Sequence, residues 1–211
     1  MARTGAAAAV PAFVNDRVRR LPTWPVYVVG PLPVVLEYWL GITGGLGPDP
    51  VKAIERQLGV WTLWLLIAVL AITPLRRLAG LNLLKFRRSL GVLSFIYAMA
   101  HFLTWLVLDV QLAWAEVLRD IAKRPYVTIG FAALVAMLPL ALTSTNRAVR
   151  RLGGRRWSRL HRLTYLVAAF AVVHFLMQAK VVTLRHAAYA AAVLVLLGLR
   201  ALWTTRRSLT R

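Results

Sequence analysis

The chain has 211 residues, 59% of them hydrophobic and 16% charged, with a mean hydropathy of +0.64; a soluble domain carries more charge, about a quarter of its residues. It contains no cysteine, which excludes disulfides, thiolate-held iron–sulfur clusters and haem attached through a C-x-x-C-H motif. The net charge is +20, yet the basic residues lie between apolar blocks, so the charge reads as membrane topology and not as nucleic-acid binding.

Met1 to Arg20 is alanine-rich, interrupted by Pro11, and runs into Asp16, Arg17, Arg19 and Arg20 with no cleavage site. Residues 1–22 are expected to be a flexible cytoplasmic tail. Six apolar segments follow: Trp24 to Thr43, Leu58 to Leu75, Ser89 to Leu108, Pro125 to Ser144, Leu163 to Ala179 and Ala187 to Trp203. Each is near the length that crosses a hydrocarbon core about 30 Å thick, and each must be helical there, since only a helix satisfies its own backbone in lipid. The expected fold is therefore an all-α bundle of six transmembrane helices occupying residues 23–205, with a short cytoplasmic tail over 206–211. Pro31, Pro33 and Pro139 are candidate kinks. Arg200 lies inside the sixth segment and is expected to snorkel outward.

The loops differ in character. Gly44 to Pro50 is rich in glycine and proline and reads as turns. Gln111 to Arg124 spaces Leu112, Trp114, Val117, Leu118 and Ile121 at helical intervals, which predicts a short amphipathic helix in the interface. The N-terminal tail, the second-to-third and fourth-to-fifth loops and the C-terminal end together hold 20 of the 27 Lys and Arg residues. That asymmetry places both termini in the cytoplasm.

Four histidines exist, at positions 101, 161, 174 and 186. His101 lies 13 residues past Arg88 and His174 lies 12 past Arg162, each counted from the last cytoplasmic charge before its helix. The third and fifth helices run in the same direction, so both imidazoles sit about 18–20 Å from the cytoplasmic edge. Two neutral imidazoles at one depth can hold a haem iron from both faces, leaving no open position for oxygen. The alternative, a helix–helix contact or a proton relay, is weaker because the depths match. His161 has two open readings, a second-cofactor contact and an interfacial residue; the facing positions on the third helix are Arg87 and Arg88, which can pair with a propionate or phosphate but cannot bind iron. His186 reads as interfacial. Met99 and Met177 read as packing residues, and Glu37 as an interfacial hydrogen-bonding group. With no G-x-G-x-x-G and no P-loop, electrons must come from a separate donor. A free-standing ferric or oxygen reductase and a proton-coupled transporter are the competing functions.

Gly44-Gly45-Leu46-Gly47 with Asp49-Pro50-Val51, Arg87-Arg88 before Leu90-Gly91, His101, Arg124-Pro125-Tyr126, Thr143-Ser144, and Trp157 to Leu163 with Tyr165 and His174 together resemble the MsrQ family, formerly called YedZ. The resemblance covers Gly44 to Lys180; Gln57-Leu58-Gly59 departs from the Thr-Gly expected there. It implies a fold like the membrane part of ferric reductases and NADPH oxidases, in the bacterial inner membrane. It implies electron transfer from the quinone pool or a cytoplasmic flavin reductase to MsrP, a periplasmic molybdopterin enzyme that reduces methionine sulfoxide in proteins. No catalytic site for that substrate is then expected in this chain. Carried over by position, His101 and His174 would ligate the iron of a b-type haem, and His161 would be the third family histidine, in contact with a cofactor. The family is also described as binding FMN, and no motif here locates that site.

Overall fold

The computed structural model describes residues 3–209, with side chains for 11–204. Among the described residues every regular element is a helix: α1 Arg3–Arg20, α2 Trp24–Val28, α3 Leu32–Ile42, α4 Pro50–Leu78, α5 Arg87–Leu103, α6 Trp114–Lys123, α7 Pro125–Leu142, α8 Asn146–Leu160, α9 Leu163–Gln178 and α10 Leu184–Leu209. A 3-10 turn at Leu84–Phe86 leads into α5, and a π-helical stretch, Thr104–Asp109, follows it. Five spans are long and apolar enough to cross a membrane: α2 with α3, α4, α5 with its extensions, α7 and α10. The pair α8 and α9 meets the same criterion only when taken together across its 43° bend, which makes six spans if it counts as one.

Several boundaries depart from the sequence reading for identifiable reasons. The α4 helix begins at Pro50 and not near Leu58, because Asp49 accepts the Lys52 N–H at 3.1 Å and Pro50 fits the first helical turn. The stretch expected as a flexible tail is helical from Arg3 to Arg20. Alanine favours a helix, the basic last turn suits the helix dipole, and Asn15 bonds the backbone of Gly80 and Asn82. The fourth-to-fifth connection, expected as a loop, is the basic helix α8, broken only at Gly153, where φ is +73°. At the C-terminus α10 continues to Leu209, and residues 210–211 of the expected tail lie outside the described residues.

The first span breaks between α2 and α3 at Pro31, while α7 runs through Pro139. The predicted amphipathic helix is α6, with Val117 buried and Leu118 exposed.

The bundle centres on α4, which packs along α5 and touches α3, α9 and α10, while α7 packs along α9. Leu63, Leu70, Ala168, Val172 and Val193 join α4, α9 and α10. Leu66, Met137 and Val167 join α4, α7 and α9, and Ile54, Leu58, Leu93 and Tyr97 join α4 to α5. Lipid tails are as apolar as leucine, so this cohesion comes from close packing and interhelical hydrogen bonds.

Arg200 turns inward and does not snorkel. Its guanidinium donates to Tyr165 Oη at 2.7 Å, to Leu70 O at 3.1 Å and to Thr73 Oγ1 at 3.1 Å, tying α10 to α9 and α4. Buried acceptors on two neighbouring helices outweigh the reach to water. Replacing Arg200 with leucine should lower stability by about 2–3 kcal/mol, from several charge-assisted bonds lost together, while Tyr165→Phe should cost less. Thermal midpoints in neutral detergent check this; equal midpoints for Arg200→Leu and wild type would refute it.

Candidate functional site

The α5 and α9 helices bring His101 and His174 opposite each other inside the bundle, with ring centres 6.1 Å apart and planes crossed at 80°. Each ring is fixed from behind. His101 Nδ1 lies 2.8 Å from Glu55 O of α4, and His174 Nδ1 lies 2.7 Å from Tyr126 O of α7. A carbonyl only accepts, so each Nδ1 carries the proton. In the neutral ring Nε2 then holds the lone pair. Among the described residues no hydrogen bond engages either Nε2, and both rings line one cavity.

That arrangement fits a metal between two imidazoles. With each nitrogen about 2 Å from the ion, as is usual for imidazole ligands, the two ring centres fall about 6 Å apart, close to what is observed. Backbone carbonyls behind metal-binding histidines are the usual device for fixing tautomer and ring direction. The cavity walls are apolar towards its inner end, with Ala98, Ala133, Leu134, Met137 and Ala171. Phe102, Trp105 and Phe131 cluster beside His101. At the rim, Lys52 bridges Asp109 at 2.6 Å and Glu55 at 3.1 Å, and Arg124 pairs with Asp120 at 3.1 Å.

Two glycines allow the imidazoles to stand where they do. A Cβ on Gly130 would lie 2.6 Å from His174 Nδ1, and one on Gly59 would lie 3.3 Å from the His101 ring. Sequence reasoning missed both, and it missed Met137, which looks like any core methionine. The carbonyls of Glu55 and Tyr126 leave no trace in side-chain chemistry.

His161 is not part of this pair. It sits in the turn before α9, stacks on Trp157 with centres 3.9 Å apart, and its Nε2 meets Thr143 Oγ1 at 3.1 Å. Burial, then the charges of Arg87 and Arg88, hold its imidazole below the ordinary histidine range, so it is neutral near pH 7. It lines a second cavity of about 610 Å³ at the end of the bundle that carries both termini, with Lys85, Arg87, Arg88 and Arg162. Met137 lines both cavities. His186 bonds Thr183 and stacks on Phe175 at 4.7 Å, away from either cavity. Met99, Met177 and Glu37 line neither.

Residues 58–172 match the family described as ferric reductase like transmembrane component. A relative from Rhizobium meliloti (strain 1021), named Protein-methionine-sulfoxide reductase heme-binding subunit MsrQ, is 50% identical over 178 residues, covering 84% of this chain and 82% of the relative. Proteins of the same name from Brucella ovis and Brucella canis are each 47% identical over 188 residues, covering 89% of this chain and 83% of theirs. No solved structure matches the chain.

Proposed function

We propose a function from one premise: the chain belongs to the ferric reductase like transmembrane family and, within it, to the MsrQ haem-binding subunits. It serves as the electron-transfer membrane subunit of a protein-methionine-sulfoxide reductase system. The observation that carries this reading is the His101–His174 pair, at 6.1 Å with both Nδ1 atoms committed to carbonyls. These two imidazoles would hold the iron of a b-type haem. Such a group would supply a one-electron couple there.

The chain's own residues do the rest. Glu55 and Tyr126 carbonyls fix the rings, and the apolar wall from Ala98 to Met137 keeps water from the pair. His161, beside the second cavity, contacts the entering electron path. The donor is the quinone pool or a cytoplasmic flavin reductase, and the acceptor is MsrP on the periplasmic side of the inner membrane. FMN, which the sequence resemblance implies, has no counterpart in the names of the relatives. The functional unit spans 23–205, flanked by cytoplasmic ends.

A difference spectrum of the purified protein, dithionite-reduced minus air-oxidised, tests the reading. A b-type signal, with turnover that requires added MsrP, is the expected result. Absence of haem, or reduction of ferric chelates without a partner, would overturn it. Docking should be weakly sensitive to salt, because the acceptor end, its connections and the helix ends beside them, holds seven basic and five acidic residues and gives little steering. A steep fall of transfer rate between low and physiological ionic strength would contradict that.

A further inference from the structure

We propose, resting on the reading of His101 as an iron ligand, that Tyr38 and Thr104 are positioning residues for it: together they set the winding of α5 at the histidine and so the direction of its ring. The α5 helix ends at Leu103, two residues past His101, and the chain continues as the π-helical stretch Thr104–Asp109, after which Val110 N–H reaches Trp105 O at 2.9 Å. Such stretches are rare and occur frequently at functional sites. Here two hydroxyls converge on one carbonyl. Thr104, 1% exposed, turns its Oγ1–H back onto Ala100 O at 2.8 Å. Tyr38 Oη of α3 lies 3.3 Å from the same oxygen and 2.8 Å from Thr104 Oγ1. The Thr104 hydroxyl proton is committed to the carbonyl, so in that pair Tyr38 is the donor. The Thr104 N–H is shared between Ala100 O and His101 O.

A threonine bonded to the carbonyl four residues back bends its helix, and a second donor at that carbonyl draws it further from the backbone ladder. Residues 100–104 are held in this way with His101 among them, and the direction of its Cα–Cβ bond is the direction from which the ring is aimed. The i+5 winding that follows delays each later residue by a fraction of a turn. Asp109 thereby comes round to Lys52 at 2.6 Å, and Lys52 holds the Glu55 carboxylate at 3.1 Å. Glu55 is the residue whose carbonyl fixes His101 Nδ1, so the contacts from Tyr38 through Thr104, Asp109, Lys52 and Glu55 close on the histidine. His174 has no counterpart: it lies within regular α9, and its ring rests on Tyr126 O. Tyr97, one turn before His101, shows what a purely cohesive hydroxyl looks like. Its Oη donates to Gly30 O at 2.7 Å, and α5 keeps its winding there.

The test uses the haem-loaded protein in neutral detergent and follows the low-spin resonance spectrum together with haem per protein. Tyr38→Phe and Thr104→Val keep shape and remove one hydroxyl each. Both should retain the haem, with affinity lowered less than about tenfold, because these side chains lie one contact beyond the groups that touch the ligands. The strongly anisotropic wild-type signal should shift to lower anisotropy or split in both variants, since the ring of His101 is no longer held at one angle. Thr104→Ser, which returns the hydroxyl, should restore it. Tyr97→Phe loses an interhelical bond of the same kind and should lower the thermal midpoint while leaving the signal unchanged. If Thr104→Val fails to fold, Tyr38→Phe against Tyr97→Phe decides. The proposal is overturned by an unchanged signal in Tyr38→Phe and Thr104→Val, by the same shift in Tyr97→Phe, or by no recovery in Thr104→Ser. A wild type without a low-spin signal would overturn the haem reading instead. The nitrogen resonances of isotope-labelled His101 and His174 then decide the positioning role: a shift at His101 alone is expected in Tyr38→Phe, and no shift, or equal shifts at both histidines, overturns it.

Discussion

His101→Ala and His174→Ala should each strip the protein of its main haem. A haem that these two imidazoles would hold in an apolar cavity has little else to hold it once one of them is gone. Disturbing even the hydrogen-bond partner of a metal-bound histidine typically costs about 10–100-fold in affinity, so losing the ligand costs at least that. His161→Ala should keep the haem, because His161 is spent on Thr143 and Trp157 and faces no second histidine. The measurement is haem per protein with the low-spin resonance spectrum of all three variants. Crossed ring planes, at 80°, predict a strongly anisotropic signal in wild type and in His161→Ala. Loss of haem from His161→Ala with retention in His174→Ala would show that the pair is built elsewhere.

Gly130→Ala should be nearly as damaging, although it removes no polar atom. The added methyl would sit 2.6 Å from His174 Nδ1 and 2.9 Å from its Cε1, while the same Nδ1 is held 2.7 Å from Tyr126 O. The ring cannot retreat without giving up that bond, or with it the direction of Nε2. Overpacking of this kind costs about 1–3 kcal/mol of stability, and misdirection of the ligand adds a severalfold loss of haem. Gly59→Ala meets His101 at 3.3 and 3.4 Å, a contact that a shift of a few tenths of an ångström relieves, so its haem content should stay near wild type. The comparison separates steric fit from general intolerance at glycine. Equal haem content in both variants would sink the steric account.

The spans and the facing histidines were legible because both follow from simple periodicities. An apolar block near 20 residues must be a helix in lipid, and a rise of about 1.5 Å per residue converts two sequence offsets into one depth. Depth alone does not say which way a ring points, and the carbonyls that aim His101 and His174 belong to helices the histidines do not occupy. The basic helix α8 was hidden because Gly153-Gly154 and a run of arginines look like a loop. Its Trp157 anchor, bonded to Thr143 O at 2.9 Å, exists only once α7 and α9 are side by side. Arg200 was misjudged for a related reason: its acceptors lie 35 to 130 residues away in sequence.

Met137 gives the two cavities a common wall only one side chain thick. That thioether is a partition between two chambers of opposite character, one holding two histidines and one lined by cations. Its sulfur is soft and polarizable, and its unbranched chain sets the thickness of the gap. Trimming the residue to alanine opens a gap in that wall, and a bulkier ring thickens it. One position on α7 therefore sets how far apart the two cavities stand, without touching the histidines of one or the arginines of the other.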